Sequence, residues 1–144
     1  MGRNNEGIVL KNLGRFAEEF TCYDQALKID PRYVPAWNNK GLALHNLGRP
    51  AEALTCYDKA LEIDPAHTRA WKNRGDALAA LGRPAEALTC YDKALKIAPA
   101  YIGAWTNKGL VLDAVGRTAE ALTCYDKAFE IDPSMPHLPP WMLL

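Results

Sequence analysis

Serine is almost missing from this chain. Ser134 is the only one, and it stands beside Pro133. Histidine is scarce too: His45, His67 and His137 share no spacing and no common partner. Nucleophilic catalysis needs a nucleophile, a base and a group that orients the base, and these residues supply no such set. Charge of one sign is not in excess either, with 17 basic and 17 acidic residues and a formal net charge of zero. A nucleic-acid partner normally requires a basic stripe, so that class is disfavoured. No stretch approaches the roughly 18 consecutive apolar residues of a membrane span. The N-terminus has no apolar signal region. Met1-Gly2 opens like an acylation site, but position 6 is Glu rather than Ser or Thr. There is no convincing strand and no glycine-rich phosphate loop following one. The expectation is a cytoplasmic, non-catalytic chain with no cofactor, no metal, no nucleic acid and no membrane.

What the chain has instead is repetition. Residues 48–61 recur unchanged at 82–95, and a near copy follows at 116–129, always 34 residues apart. Gly14, Gly48, Gly82 and Gly116 mark one position; Tyr23, Tyr57, Tyr91 and Tyr125 mark another; Pro31, Pro65, Pro99 and Pro133 mark a third. A period of this length indicates helix pairs that bury their apolar faces only by stacking. The register gives repeats at 1–33, 34–67, 68–101 and 102–135, followed by a tail at 136–144. Trp37, Trp71 and Trp105 stand near the start of three repeats, and Arg3 takes that place in the first.

Within a repeat, Trp37, Gly41, Leu44 and Leu47 fall on one helical face. Gly48-Arg49-Pro50 breaks the chain, and Pro50 suits the first turn of a second helix. Ala53, Leu54, Tyr57, Ala60 and Leu61 form that helix's apolar stripe, and Asp64-Pro65 ends it. Gly41 and Ala53 allow close approach, while Tyr57 and Trp37 supply large buried areas.

These residues resemble the tetratricopeptide repeat family. Trp37, Gly41, Ala53, Tyr57, Ala60 and Pro65 stand at its signature positions, and the third and fourth repeats match as well. The resemblance implies an all-α, right-handed superhelical solenoid of about four helix-turn-helix repeats. The first repeat departs from the pattern, with Arg3 for Trp and Glu19 for the small Ala, and is expected to pack poorly. Lys40, Arg74 and Lys108 stand where the family usually has Leu; their stems can cover apolar surface while the charge reaches water.

Cys22, Cys56, Cys90 and Cys124 occupy one repeat position. Stacked helices lie about 8–10 Å apart, too far for a disulfide, which needs Cα atoms within roughly 7 Å. Metal sites gather ligands at short spacing, which is not seen here. Four free, half-buried thiols on the second helices are expected. Asp24, Asp58, Asp92 and Asp126 read as a solvated face rather than a metal site.

The differences between repeats carry more information than the shared residues. Residues 47–61 and 81–95 are identical, whereas the first helices diverge at Pro35/Arg69, Asn38/Lys72, Leu42/Asp76, His45/Ala79 and Asn46/Ala80. The fourth repeat varies at the same places, with Gly103, Thr106, Leu110, Asp113 and Ala114. This stripe is either merely exposed or a binding face whose chemistry is set repeat by repeat. The resemblance places first helices on the concave side of the superhelix, where the family binds peptides. Beside the stripe, Asn5, Asn39, Asn73 and Asn107 do not vary. A carboxamide both donates and accepts. The row either reads an extended peptide's backbone, like the asparagine ladder of O-linked N-acetylglucosamine transferases, or ties each first helix to its neighbour.

The predicted peptide-binding face thus comprises Asn5, Asn39, Asn73, Asn107, Asn38, Leu42, His45, Arg69, Lys72, Asp76, Thr106, Leu110 and Asp113. Ile8, Leu42 and Leu110 give apolar spots, Arg69 and Lys72 positive charge, Asp76 and Asp113 negative charge. The family's carboxylate clamp for chaperone tails is incomplete: Asp76 replaces an Asn, and Asn73 replaces an Arg. A moderately polar extended segment fits better. Two other readings stay open. Leu122 and Phe129 of the last repeat lack a following repeat to cover them, and either the tail with Trp141 folds over them or copies stack there. The start inside a first helix, without its Trp, also suits a recruiting fragment of a larger enzyme.

Overall fold

The computed structural model describes residues 2–134, with side chains from residue 14 onward. Asn5 and Ile8 therefore lie outside the described side chains, and the expectations for the 136–144 tail, including Trp141 and His137, lie outside the described residues altogether. Seven helices follow one another: α1 (Gly2–Ile29), α2 (Val34–Asn46), α3 (Pro50–Ile63), α4 (Thr68–Ala80), α5 (Pro84–Ile97), α6 (Ile102–Ala114) and α7 (Thr118–Ile131). No strand occurs among the described residues. The chain divides into two compact units, Met1–Ala70 and Trp71–Leu144, with the boundary inside α4.

The turns between paired helices follow from glycine. Gly48, Gly82 and Gly116 have φ of +77°, +73° and +85°, a region that costs other L-residues about 1–2 kcal/mol. Each closes the helix before it in a Schellman motif. The Arg49, Arg83 and Arg117 amides donate to the carbonyls of Leu44, Leu78 and Leu112 at 2.8–2.9 Å. Pro50 and Pro84 then start the second helices. Glu52, Glu86 and Glu120 occupy the first turns, where the helix dipole favours an anion. Arg49, Arg83 and Arg117 each clasp one of these carboxylates through two nitrogens.

The hairpins close on a glycine–tyrosine pair. In the first unit, a Cβ built on Gly41 would lie 2.5 Å from Cε1 of Tyr57. In the second unit, the same test at Gly75 and Gly109 gives 2.7 Å to Tyr91 and to Tyr125. The rings are buried, as are Ala53, Ala87 and Ala121 on the second helices. Trp37 and Trp105 donate their indole N–H to the carbonyls of Pro31 and Pro99, anchoring each first helix to the loop before it. In the second unit, Ala94, Leu95 and Ala104 form one buried cluster, with Trp71, Tyr101 and Trp105 against it.

The first repeat departs from the helix–turn–helix expected of it. α1 runs unbroken from Gly2 to Ile29, straight through Gly14. The missing proline is not the cause, since Thr118 replaces Pro in the fourth repeat and its turn forms. The difference lies at Glu19, which stands where Ala53, Ala87 and Ala121 are fully buried. Folding back would bury a carboxylate, at an effective cost of several kcal/mol. Keeping Gly14 in a helix interior costs at most about 1 kcal/mol, so the straight helix wins. Nothing lies within 4 Å of a Cβ added at Gly14. Gly14→Ala is therefore expected to stabilise the chain by about 0.5–1 kcal/mol. Urea denaturation measures this, and a loss of stability would mean that Gly14 adopts a left-handed turn in solution.

The four cysteines are free; Cys22 is exposed, and Cys56, Cys90 and Cys124 are buried. Three of the thiols are thus more deeply placed than the half-burial expected. Burial pushes the Cys56 and Cys124 thiols above the usual cysteine range. A brief maleimide pulse on the native chain is expected to label Cys22 first, read by peptide mass, with the other three reacting only after urea.

Candidate functional site

The predicted residues of the first unit lie on α2 and at the start of α4. Asn38, Asn39 and Arg69 line one depression of about 440 Å³, together with Pro35, Asp64 and His67. Two local bonds shape its rim. The Ala66 amide donates to Asp64 Oδ1 at 3.1 Å, and the Ala70 amide donates to His67 Nδ1 at 3.1 Å, so His67 caps the first turn of α4. Asn38 is buried and Asn39 is exposed. Leu42, one turn along from Asn38, is 39% exposed. His45 is half-buried, and its Nδ1 has no partner. The unit thus places carboxamides and an apolar spot on α2 beside a guanidinium in the first turn of α4.

In the second unit the predicted residues are largely paired with one another. Asp76 is the hub. Its Oδ1 accepts the Tyr91 hydroxyl at 2.6 Å and Asn107 Nδ2 at 2.9 Å, and its Oδ2 lies 3.0 Å from Lys72 Nζ. Burial, followed by the Asp76 charge and hydrogen bond, pushes the Tyr91 phenol well above the usual tyrosine range. Asp76 is thus an internal acceptor in this unit, and Lys72 its counter-ion. Asn107 ties α6 to α4, and Asn73 is 3% exposed. Thr106 and Asp113 are half-buried, and Leu110 is 50% exposed.

Reasoning from sequence missed a second kind of cavity. In the first unit, Trp37, Lys40 and Leu44 of α2, Thr55 and Cys56 of α3, and Phe20 of α1 border a cavity of about 480 Å³. The counterpart in the second unit, bordered by Trp105, Lys108, Leu112 and Cys124, holds about 180 Å³. Lys40 pairs with Asp24 at 2.7 Å and lies 5.8 Å from the Trp37 ring centre; Lys108 pairs with Asp92 at 2.8 Å and lies 5.7 Å from that of Trp105. These are cation–π distances. Arg74 instead donates to Cys90 Sγ at 3.1 Å, and Lys93 lies 5.6 Å from the Trp71 ring centre. The signal available in the sequence was the cation in place of the family's Leu. Among the described residues, no group of three or more His, Cys, Asp or Glu side chains is placed to hold a metal. No helix among them is long and apolar enough to cross a membrane.

Comparison with known proteins agrees with this architecture. Profiles described as tetratricopeptide repeat match residues 33–100 and 102–135, and one described as TPR repeat matches 7–48. The chain belongs to the tetratricopeptide repeat family. Among solved structures it is similar to a crystal structure of MamA, with a TM-score of 0.76 and 25% identity over 85% of this chain and 72% of that one. It is also similar to MamA residues 41-end from Desulfovibrio magneticus RS-1, with a TM-score of 0.76 and 25% identity over 90% of this chain and 73% of that one. A search of curated proteins found no match.

Proposed function

We propose that this chain is a non-catalytic interaction scaffold that binds an extended peptide, or an extended segment of a partner protein, along its first helices. The observation that carries this reading is the depression in the first unit. Asn38, Asn39 and Arg69 diverge from or flank the diverging positions of the repeats, and they converge on one concavity near the exposed Leu42. Asn39 is exposed and able to pair with a peptide backbone in both directions. Asn107 is engaged by Asp76. The carboxamide row therefore divides its labour, with Asn39 facing a ligand and Asn107 holding helices together.

The test is binding of a random extended-peptide library, compared between the native chain and the Asn39→Ala and Asn107→Ala variants. Asn39→Ala is expected to lose binders while its melting temperature stays near native. Asn107→Ala is expected to melt earlier. A native chain that binds no peptide, or an Asn39→Ala variant that binds as well as native, would sink the reading.

One observation favours a second reading, self-association through the last repeat. Leu122 and Phe129 are 37% and 47% exposed on α7. The corresponding residues of α5 are covered within the second unit: Leu88 packs against the buried cluster of Leu112, Ala121, Cys124 and Tyr125, and Leu95 is 8% exposed. A molecular mass that rises with concentration, and falls back in Leu122→Lys, would favour this reading over a monomeric peptide binder.

A further inference from the structure

The fourth repeat keeps the glycine–tyrosine pair of the third but not the acceptor that completes it. Tyr91 and Tyr125 are seated alike, since a Cβ on Gly75 or Gly109 would lie 2.7 Å from the respective Cε1. The residue after each glycine is Asp76 in one case and Leu110 in the other. The Asp76 carboxylate accepts a hydrogen bond from the Tyr91 hydroxyl. Leu110 has no oxygen to offer. Tyr125 is only 5% exposed, and its hydroxyl is buried without a partner. Thr106 Oγ1, at the position of Lys72, is also buried without one. A buried hydroxyl left unpaired is unfavourable, and phenylalanine would fill the same ring space without it. The side chain at the place of the missing carboxylate, Leu110, is half exposed.

Charge separates the two sites as well. Asp113 stands one turn beyond Leu110 on α6. Burial, followed by the Asp113 charge, pushes the Tyr125 phenol up, which places that carboxylate within electrostatic reach of the same hydroxyl. Among the described residues Asp113 has no cationic partner; its one hydrogen bond is from the Thr118 hydroxyl at 3.4 Å. In the third repeat the corresponding residue is Ala79, and the one anion of α4, Asp76, is neutralised by Lys72. At this place the third repeat therefore has both an acceptor for its tyrosine and a counter-ion for its carboxylate. The fourth lacks an acceptor and carries an unbalanced negative charge.

We infer that the α6 face of the fourth repeat receives a basic, apolar peptide segment. As the half-exposed Leu110 side chain swings aside, a backbone carbonyl of that segment accepts from Tyr125 and Thr106, replacing the oxygen that Asp76 supplies in the third repeat. An apolar side chain of the segment rests on Leu110, and a Lys or Arg pairs with Asp113. An acidic segment is disfavoured, because its carboxylate would meet Asp113 with no Lys72 to offset it. This inference rests on the proposed peptide-binding reading and names the ligand class for one part of that face.

The test uses labelled peptides of one length in three matched sets, carrying Lys or Arg, neutral residues, or Asp or Glu at the varied positions. Binding by fluorescence anisotropy is compared for the native chain, Tyr125→Phe, Asp113→Ala and Leu110→Asp. The basic set is expected to bind best to the native chain. Asp113→Ala is expected to erase that preference. Tyr125→Phe is expected to weaken binding up to about tenfold, the worth of one hydrogen bond, without lowering the melting temperature. Leu110→Asp supplies Tyr125 with an acceptor in cis and removes the apolar spot, though without a counter-ion like Lys72, so it is expected to bind the apolar basic peptides more weakly than native and to make Tyr125→Phe neutral for binding. A preference for the acidic set, or variants that all bind like native, would each overturn the inference. Binding that depends on Asn39 but not on Tyr125 or Asp113 would defeat this inference and leave the broader reading standing. No binding to the native chain would defeat both.

Discussion

Replacing Asp76 by leucine, the residue found at the same place in the second and fourth repeats, is expected to destabilise the chain by about 3 kcal/mol. The change looks harmless in sequence, because Leu42 and Leu110 already occupy this position. In the structure Asp76 is the shared acceptor of Tyr91 and Asn107 and the counter-ion of Lys72. Leucine would leave the Tyr91 hydroxyl and the Asn107 amide without that oxygen, at about 1–3 kcal/mol for each buried donor stranded. The Lys72 pair adds little, since both partners keep about a quarter of their side-chain surface in water. Urea denaturation followed by circular dichroism gives the loss directly. Tyr91→Phe in the Asp76→Leu background should then cost almost nothing, because the stranded hydroxyl has been removed. A single Asp76→Leu variant within about 0.5 kcal/mol of native, the range of ordinary surface substitutions, would show that the network is not stabilising.

The second large effect concerns the hairpin closure of the first unit. Tyr57→Ala is expected to cost about 3–5 kcal/mol, the usual range for removing a buried aromatic ring. Tyr57 is 1% exposed and its ring lies against the Gly41 backbone. Gly41→Leu is expected to be comparably damaging for the opposite reason. Its Cβ alone would sit 2.5 Å from Cε1 of Tyr57, and the rest of the side chain would have no room. The two changes are complementary in volume, so the double variant should be more stable than the sum of the single losses implies. A coupling of more than about 1 kcal/mol is expected for residues in direct contact. Strict additivity would mean that the glycine and the tyrosine do not face each other in solution.

These expectations were legible in the sequence to different degrees. The close approach at Gly41 and the burial of Tyr57 could be read from their recurrence through the 34-residue period, but that the tyrosine ring is what lies against the glycine required the packed helices. The Schellman turns could be read as well, since only glycine recurs at the position where φ must be positive. The straight path of α1 was half legible. Arg3 and Glu19 marked the first repeat as defective, but its failure to turn at Gly14 follows from weighing a buried carboxylate against a glycine in a helix, and that comparison requires the packed positions of Ala53, Ala87 and Ala121. The candidate face was legible as a list of positions and not as chemistry. Asn39, Asn73 and Asn107 are equivalent in sequence, yet the first is exposed, the second buried and the third bonded to Asp76.

The sequence by itself determined the period, the helix pairs of the last three repeats and the family, because each rests on local spacing: apolar residues at helical intervals, glycine at the turns, proline at the helix starts. Only the tertiary structure decided which polar groups remain for a ligand. Asp76 and Asn107 are 31 residues apart, and Asp76 and Tyr91 are 15 apart. Whether a carboxylate is a binding group or an internal acceptor depends on donors that reach it across space. Nothing in the spacing of Leu110 or Tyr125 distinguishes them from their copies until the packed helices show that one hydroxyl has an acceptor and the other has none.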